Sequence, residues 1–280
     1  MKTFESSWDS RDGLKLYARG WEPDGRPKAV VCLVHGLGEH IGRYDHVGAA
    51  LTSAGYALLG SDLRGHGRSG GARGHSPSLE AFMSDIDLLL GKAAQRHPDL
   101  PRILYGHSLG GLLVLAYVLL RSPSVSGVVV TSPGLRSPLQ EQKIKVMLAK
   151  VLGSLAPTLS LPSGLDPHTI SRDPKVVDAY IKDPLVHDRT TTGFGKAALQ
   201  AVDLAFAKAA DFPAIPLLVM HGTADQLAYP RGSEEFTRLV PGNVTLKLWE
   251  GLYHETHNEP EQAEVLKFLI RWLDGQLQKK

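Results

Sequence analysis

The sequence predicts an α/β protein built on a mostly parallel β-sheet. Short β-rich runs bounded by turn residues alternate with helical windows along most of the 280 residues. The later runs are continuously apolar, without the alternation of a half-exposed strand, which is typical of strands buried on both faces. Strand and helix in alternation predict a mostly parallel sheet with helices on both sides.

Eight segments are predicted as strands, and the first two form a hairpin. In chain order they are 4–8, 14–20, 29–35, 56–61, 102–106, 128–131, 217–221 and 244–249. Helical windows lie at 44–54, 79–95, 109–121, 232–239 and 260–277. These elements predict an eight-stranded sheet flanked by helices.

One interval interrupts this alternation. Residues 134–212 contain no convincing strand, and the interval is too long for a loop inside a compact domain. We therefore expect a helical cap at 134–212, inserted into a core formed by residues 1–133 and 213–280.

Apolar residues of the cap recur at helical spacing, which leaves two interpretations open. The stripe either packs on the core, or it lines an acyl tunnel and touches lipid surfaces transiently. Its members are Ile144, Met147, Leu148, Val151, Leu152 and Leu155.

Composition and charge narrow the class of protein. The net charge of +2 and the absence of a basic stripe argue against a nucleic-acid partner. The single cysteine, Cys32, lies in an apolar run and cannot form an internal disulfide. The first residues lack the apolar region of a signal peptide, and the longest apolar run is too short to cross a bilayer. We expect a soluble, cytoplasmic protein; the sequence assigns no oligomeric state.

The candidate nucleophile is Ser108. It lies in Gly106-His107-Ser108-Leu109-Gly110, which fits the pattern G-x-S-x-G. An apolar strand precedes the pattern and a helix follows it, as in the nucleophile elbow of α/β-hydrolases. Glycines flank the serine because so tight a turn leaves no room for side chains. The alternative is a glycine-rich turn in which the serine only caps the helix.

The acid and the base are sought after later strands, because the chain order in this fold is serine, acid, histidine. Asp225 follows the strand 217–221, and His254 follows the strand 244–249. Asp203 and Asp211 are weaker candidates for the acid, since neither follows a predicted strand. His257 is the alternative base.

Backbone amides are expected to form the oxyanion hole. In this fold one N–H belongs to the residue after the nucleophile, here Leu109, and the other to the loop after an early strand, here Leu37. His35 and His40 have no third ligand at a suitable spacing, so no metal site is predicted. The chemistry requires no cofactor.

The chain resembles the monoacylglycerol lipase and lysophospholipase group of α/β-hydrolases. The segments that carry the resemblance are His35-Gly36-Leu37-Gly38-Glu39-His40 with Gly42-Arg43-Tyr44, Asp62-Leu63-Arg64-Gly65-His66-Gly67-Arg68-Ser69 with Arg73-Gly74-His75, Gly106-His107-Ser108-Leu109-Gly110-Gly111, His221-Gly222-Thr223-Ala224-Asp225, and Tyr253-His254-Glu255 with Asn258-Glu259. They occur in the order of the family and cover both halves of the core, whereas the cap carries no recognised motif.

The resemblance implies a carboxylic ester hydrolase, most simply a monoacylglycerol lipase acting on a small lipid-like ester. It implies the triad Ser108, Asp225 and His254. It also implies that Glu39, Arg43 and His257 hold the glycerol head, although the same three residues could form a structural network between two loops. The segment from Asp62 to His75 is interpreted mainly as a turn held by side-chain bonds.

Other functions stay open from the sequence. The same chemistry suits a lysophospholipase, a short-chain esterase or an amidase. A non-catalytic binding protein of the same fold would usually lack a member of the triad. A serine at the elbow argues against dehalogenases and epoxide hydrolases, which need a carboxylate there.

Overall fold

The computed structural model describes residues 1–138, residue 147 and residues 151–278. The strands are β1 (Lys2–Asp9), β2 (Lys15–Glu22), β3 (Val30–Val34), β4 (Ala57–Ser61), β5 (Arg102–His107), β6 (Gly127–Thr131), β7 (Ser160–Pro162), β8 (Arg189–Thr191), β9 (Leu217–Gly222) and β10 (Val244–Trp249). The α-helices that are described over their full length are α1 (Asp45–Ser53), α2 (Leu79–Arg96), α3 (Leu109–Arg121), α4 (Pro174–Lys182), α5 (Thr192–Lys208), α6 (Pro230–Leu239) and α7 (Gln262–Leu277).

Eight strands form one sheet in the order β1-β2-β4-β3-β5-β6-β9-β10. The β1–β2 hairpin is antiparallel, and β2 pairs antiparallel with β4. All other pairs in this sheet are parallel. The predicted eight-stranded, mostly parallel sheet is therefore confirmed, and each predicted strand and helix lies within a few residues of its observed position.

Helices cover both faces of the sheet. Along β3, Val30, Cys32 and Val34 belong to one buried cluster, together with residues of α2, α3 and α5. Val31 and Leu33 belong to a second cluster, together with residues of α1 and α7. Successive residues of a strand point to opposite faces, so a strand buried on both sides has to be apolar throughout.

The prediction of full burial is wrong for β10. All six of its residues are only half-buried, because β10 is the last strand of the sheet and has one neighbour. Lys247 interrupts its apolar run at a position where the side chain reaches past the edge, over the ring of Trp249.

The prediction that residues 134–212 contain no strand is also wrong. β7 and β8 pair antiparallel within this interval. Each has three residues and β7 is exposed, so neither produces an apolar pattern in the sequence. The division into a core and a cap stays a prediction. Within the predicted cap, α5 buries Phe194, Ala197 and Ala201 in the same hydrophobic cluster as residues of α3.

The predicted apolar stripe of the cap is partly described. Ile144 and Leu148 lie outside the described residues. Met147, Val151 and Leu155 are exposed, with 78% of Leu155 accessible, whereas Leu152 is half-buried. No helix in the described ranges is long and apolar enough to cross a membrane.

Candidate active site

Ser108 occupies a sharp turn between β5 and α3. Its backbone angles are φ 54° and ψ −118°, a conformation that residues other than glycine rarely adopt. A Cβ atom on Gly106 would collide with the backbone of Gly110, and one on Gly110 would collide with the carbonyl of Val34. The glycines of the motif are therefore required by close backbone approach, and the turn presents the Ser108 side chain at the carboxyl end of the sheet.

His254 lies on the loop after β10 and contacts both other members of the predicted triad. Its Nε2 atom is 2.7 Å from Ser108 Oγ, and its Nδ1 atom is 2.7 Å from Asp225 Oδ2. The hydroxyl of Ser132 donates to the His254 carbonyl at 2.7 Å, which anchors the backbone of the loop that carries His254. This arrangement allows His254 to accept the serine proton at Nε2 while Asp225 fixes the N–H at Nδ1.

Asp225 is held by three groups besides His254. Its Oδ1 atom accepts the amides of Leu227 and Ala228 at 2.8 and 3.0 Å. Its Oδ2 atom lies 3.0 Å from His221 Nε2, and that nitrogen also reaches the Ala228 carbonyl at 2.8 Å. The buried hydroxyl of Ser233 contacts the other ring nitrogen of His221 at 2.7 Å. The carboxylate is thus oriented by a turn and by a second histidine.

The role of His221 is not evident from the sequence. It stands four residues before Asp225, in the motif that was used to place the acid. The signal available was a buried histidine at the end of a parallel strand, which alone does not specify its partner. The structure also brings Asp225, and not the exposed Asp203 or Asp211, to His254.

The charges of this site shift its ionisation. Burial alone would lower the pKa of His254, but the facing Asp225 carboxylate raises it above the ordinary value of 6.5. Burial alone would raise the pKa of Asp225, but His254 and His221 hold it well below its usual range. The pair therefore favours a carboxylate next to a histidine that readily becomes imidazolium, the charge distribution of acyl-transfer catalysis.

We expect kcat/KM for a soluble ester to rise with pH through a midpoint above 6.5. Because its pKa is raised, His254 is protonated below that midpoint and cannot accept the serine proton; it becomes a competent base as the pH increases. The measurement is kcat/KM from pH 5 to 9 in buffers of constant ionic strength. A flat profile, or a midpoint below 6.5, would contradict the assignment of His254 as base.

The predicted oxyanion loop lies beside the nucleophile. A Cβ atom on Gly36 would be only 3.1 Å from Ser108 Cβ, so the chain before Leu37 passes next to the serine. Leu109 is the first residue of α3, where amides have no acceptor within the helix. The assignment of the Leu37 and Leu109 amides as oxyanion donors stays a prediction that is compatible with this placement.

Glu39 and Arg43 form a buried ionic network. Arg43 donates to Glu39 at 2.9 Å and binds both oxygens of Glu255 at 2.6 and 2.7 Å. Glu39 also accepts the Gly36 amide at 2.6 Å and the Tyr44 hydroxyl at 2.8 Å. The network joins the loop before α1 to the residue after His254. These contacts favour the structural interpretation of Glu39 and Arg43, although they do not test a role in substrate binding.

One guanidinium serves two buried carboxylates in this network. Burial would raise the pKa of Glu255, but the bidentate pair with Arg43 lowers it to about 2. Burial raises the pKa of Glu39, which Arg43 only partly opposes. The role of Glu255 is not evident from the sequence, because its partner Arg43 lies more than two hundred residues away along the chain.

His257 is buried, with 1% of its surface accessible. Its ring stacks on Tyr44 at 5.0 Å and meets His107 edge-on at 4.8 Å. Within the described part of the chain neither ring nitrogen has a hydrogen-bond partner, and burial lowers the pKa of His257 to about 3. The structure therefore places His257 behind the triad, as a neutral packed ring, and its predicted contact with substrate stays untested.

The segment from Asp62 onward forms a turn held by side chains, as expected. Asp62 accepts the amides of Ile41 and Arg68, both at 2.7 Å. Arg64 is buried and pairs with Asp85 at 2.7 Å and with Asp12 at 2.9 Å. Among the described residues, no three His, Cys, Asp or Glu side chains are grouped so that they could hold a metal ion.

Comparisons with known proteins identify the family of the chain. The family model described as "Serine aminopeptidase, S33" matches residues 25–261. The chain is 41% identical to a monoacylglycerol lipase of Mycolicibacterium smegmatis, over 98% of both proteins. It is also 39% identical to an uncharacterized abhydrolase domain-containing protein of Dictyostelium discoideum. That match covers 95% of this chain but only 28% of the Dictyostelium protein. A crystal structure of Paleococcus ferrophilus monoacylglycerol lipase superposes with a TM-score of 0.85, at 38% identity, over 93% of this chain and 99% of that one.

Proposed function

We propose that this serine ester hydrolase, which belongs to the serine aminopeptidase S33 family, is a monoacylglycerol lipase. The observation that carries the chemistry is the continuous hydrogen-bonded chain from Ser108 through His254 to Asp225. The substrate class rests on the similarity to monoacylglycerol lipases along nearly the whole chain.

The first half of the proposed reaction forms an acyl-enzyme. Ser108 Oγ attacks the ester carbonyl as its proton passes to His254 Nε2, and the Leu37 and Leu109 amides receive the developing oxyanion. When the tetrahedral intermediate collapses, His254 gives that proton to the departing glycerol oxygen. The acyl group then remains as an ester on Ser108.

The second half releases the fatty acid. A water molecule attacks the acyl-enzyme as His254 Nε2 takes its proton, and the oxyanion is again held by the two amides. Collapse of this intermediate breaks the bond to Ser108, which recovers its proton from His254. Asp225 keeps the ring in one orientation and stabilises the imidazolium in both halves, without itself becoming protonated.

Contacts with a lipid-like substrate are proposed for two regions. The exposed apolar side chains of Met147, Val151 and Leu155 support a cap that touches lipid transiently. Glu39 lies in the oxyanion loop and Arg43 lies beside it, where a glycerol head would bind. In this proposal they act chiefly by keeping that loop in place, since their charged groups already bind one another.

The proposed location is cytoplasmic. The chain has a single cysteine, which is buried, so its fold depends on no internal disulfide and suits a reducing compartment.

We expect a hydrolysis panel to favour monoacylglycerol. Initial rates would be measured with monoacylglycerol, diacylglycerol, lysophospholipid, a p-nitrophenyl ester and a peptide amide, with acyl chains matched in length. The expected kcat/KM for monoacylglycerol exceeds that for the two other lipids by about tenfold or more, the size of difference that one hydrogen bond to the substrate supplies. The Ser108→Ala variant, prepared in the same way, measures the contribution of contaminating lipases. A preference for lysophospholipid, or activity confined to short esters, would contradict the proposed substrate.

A further inference from the structure

One segment of the inserted region contacts both loops that carry the proposed catalytic groups. These are the oxyanion loop, residues 36–40, and the histidine loop, residues 253–259. The segment comprises residues 166–191 and is named the brace here. We propose that the brace is a positioning element, which holds the two loops at the separation that catalysis requires. The proposal rests on the ester hydrolase function proposed above. It adds a set of residues that influence the rate of that hydrolysis.

The far end of the brace, residues 180–187, binds the oxyanion loop. The amide of His187 donates to the Gly38 carbonyl at 3.0 Å. Gly38 has φ 78°, and a Cβ atom there would collide with the His187 carbonyl, so the two backbones are in direct contact. The ring of Tyr180, on α4, packs 4.7 Å from the Arg43 guanidinium.

A buried polar contact completes this end. His40 is 8% accessible, and its Nδ1 atom accepts the Gly42 amide at 3.2 Å. Its Nε2 atom therefore carries the hydrogen that is donated to Asp183 Oδ2, 2.8 Å away. The other oxygen of Asp183 accepts the Leu185 amide at 2.8 Å. Asp183 thus joins the last turn of α4 to the oxyanion loop.

The near end of the brace, residues 170–172, binds the histidine loop. The Glu255 amide donates to the Ile170 carbonyl at 2.8 Å, and the Ser171 hydroxyl donates to the Asn258 carbonyl at 2.9 Å. Both bonds tie the backbone of the histidine loop to the brace, one at the residue directly after His254 and the other three residues further along the chain.

An ionic contact reinforces the near end. Arg172 Nε is 2.7 Å from one oxygen of Glu259, whose side chain is fully buried. The other oxygen of Glu259 accepts the Tyr253 amide at 2.9 Å. Arg172 therefore stabilises a carboxylate that holds the residue directly before His254.

The physical consequence concerns the transition state. Oxyanion stabilisation and proton transfer both depend on distances close to 3 Å, so a small change in the separation of the two loops weakens both. A displacement of about 1 Å caused by a distant substitution can cost on the order of a hundredfold in rate. Loss of a brace contact should therefore lower kcat, while KM for a small ester changes little.

The test compares Asp183→Ala and Arg172→Ala with Asp178→Ala, a matched control. Asp178 lies on α4, is exposed, and forms an ion pair with the exposed Lys182. With a p-nitrophenyl ester we expect kcat to fall by about 10- to 100-fold in both brace variants, with KM within about twofold of the parent enzyme. Affinity for an alkyl trifluoromethyl ketone, whose adduct with serine carries an oxyanion, should fall in parallel. The control should match the parent enzyme. A kcat within twofold of the parent in both brace variants would overturn the proposal.

A second measurement addresses the case in which a variant fails to fold. Amide hydrogen exchange of the unmodified protein reports the bonds of His187 and Glu255 directly. We expect peptides covering these amides to be protected as strongly as those of α3, with and without a covalent phosphonate inhibitor. Exchange as rapid as at the exposed loop residues 24–26 would overturn the proposal. Because this readout needs no turnover, it separates failure of the brace from failure of the proposed function.

Discussion

Replacing Ser108 with alanine is expected to lower kcat for ester hydrolysis by roughly 10⁴-fold or more, because the nucleophile of the acyl-enzyme is lost. The residual rate would come from the oxyanion amides and from substrate binding. The fold should be retained, since the Ser108 hydroxyl contacts His254 and its removal leaves the backbone bonds of the elbow in place. The measurement is steady-state hydrolysis of a p-nitrophenyl ester, with thermal unfolding recorded on the same sample.

Ser122 offers a matched control for this variant. It lies at the opposite end of α3, is exposed, and also has a positive φ, 43°. Ser122→Ala therefore also removes a hydroxyl from a residue with positive φ, without touching the triad, and it should retain the activity of the parent enzyme. Near-normal turnover by Ser108→Ala would refute the assignment of the nucleophile.

Replacing Asp225 with asparagine is expected to lower kcat by roughly 10⁴-fold, the cost of holding the histidine in the wrong tautomer. The structure predicts how the amide would orient. The amides of Leu227 and Ala228 both require an oxygen at the Oδ1 position, so the NH₂ group would occupy the Oδ2 position and face His254. His254 would then accept at Nδ1 and carry its hydrogen on Nε2, where it cannot take the serine proton.

The control for Asp225→Asn is Asp211→Asn, an exposed aspartate that the sequence also offered as an acid. The control should keep full activity and the same pH profile. If Asp225→Asn lost less than tenfold in kcat, the carboxylate would not have the role assigned to it.

The sheet and the triad could be predicted because they follow from local patterns and one topological rule. Buried parallel strands are apolar throughout, and their carboxyl ends meet at one edge of the sheet. Residues that directly follow β5, β9 and β10 therefore meet, although Ser108 and His254 are 146 positions apart. Glycine spacing marked the elbow without any knowledge of tertiary structure.

The supporting contacts could not be predicted in the same way. His221 supports Asp225 through the orientation of its ring, which no pattern encodes. Glu255 and Arg172 gain their roles from partners on distant segments. Residues 134–212, the predicted insertion, were also the hardest part of the sequence to interpret, because β7 and β8 have three residues each and β7 is exposed. Two of its bonds to the catalytic loops join backbone atoms, which are independent of side-chain type.

The central claim is that catalysis proceeds through a covalent acyl-enzyme on Ser108. It is tested most directly by incubating the enzyme with a fluorophosphonate that carries an alkyl chain, followed by intact-mass measurement and peptide mapping. The expected result is a single adduct per chain on the peptide that contains Ser108, formed more slowly when monoacylglycerol competes and absent from Ser108→Ala. An adduct on another residue, or an active enzyme that takes up no label, would contradict the account.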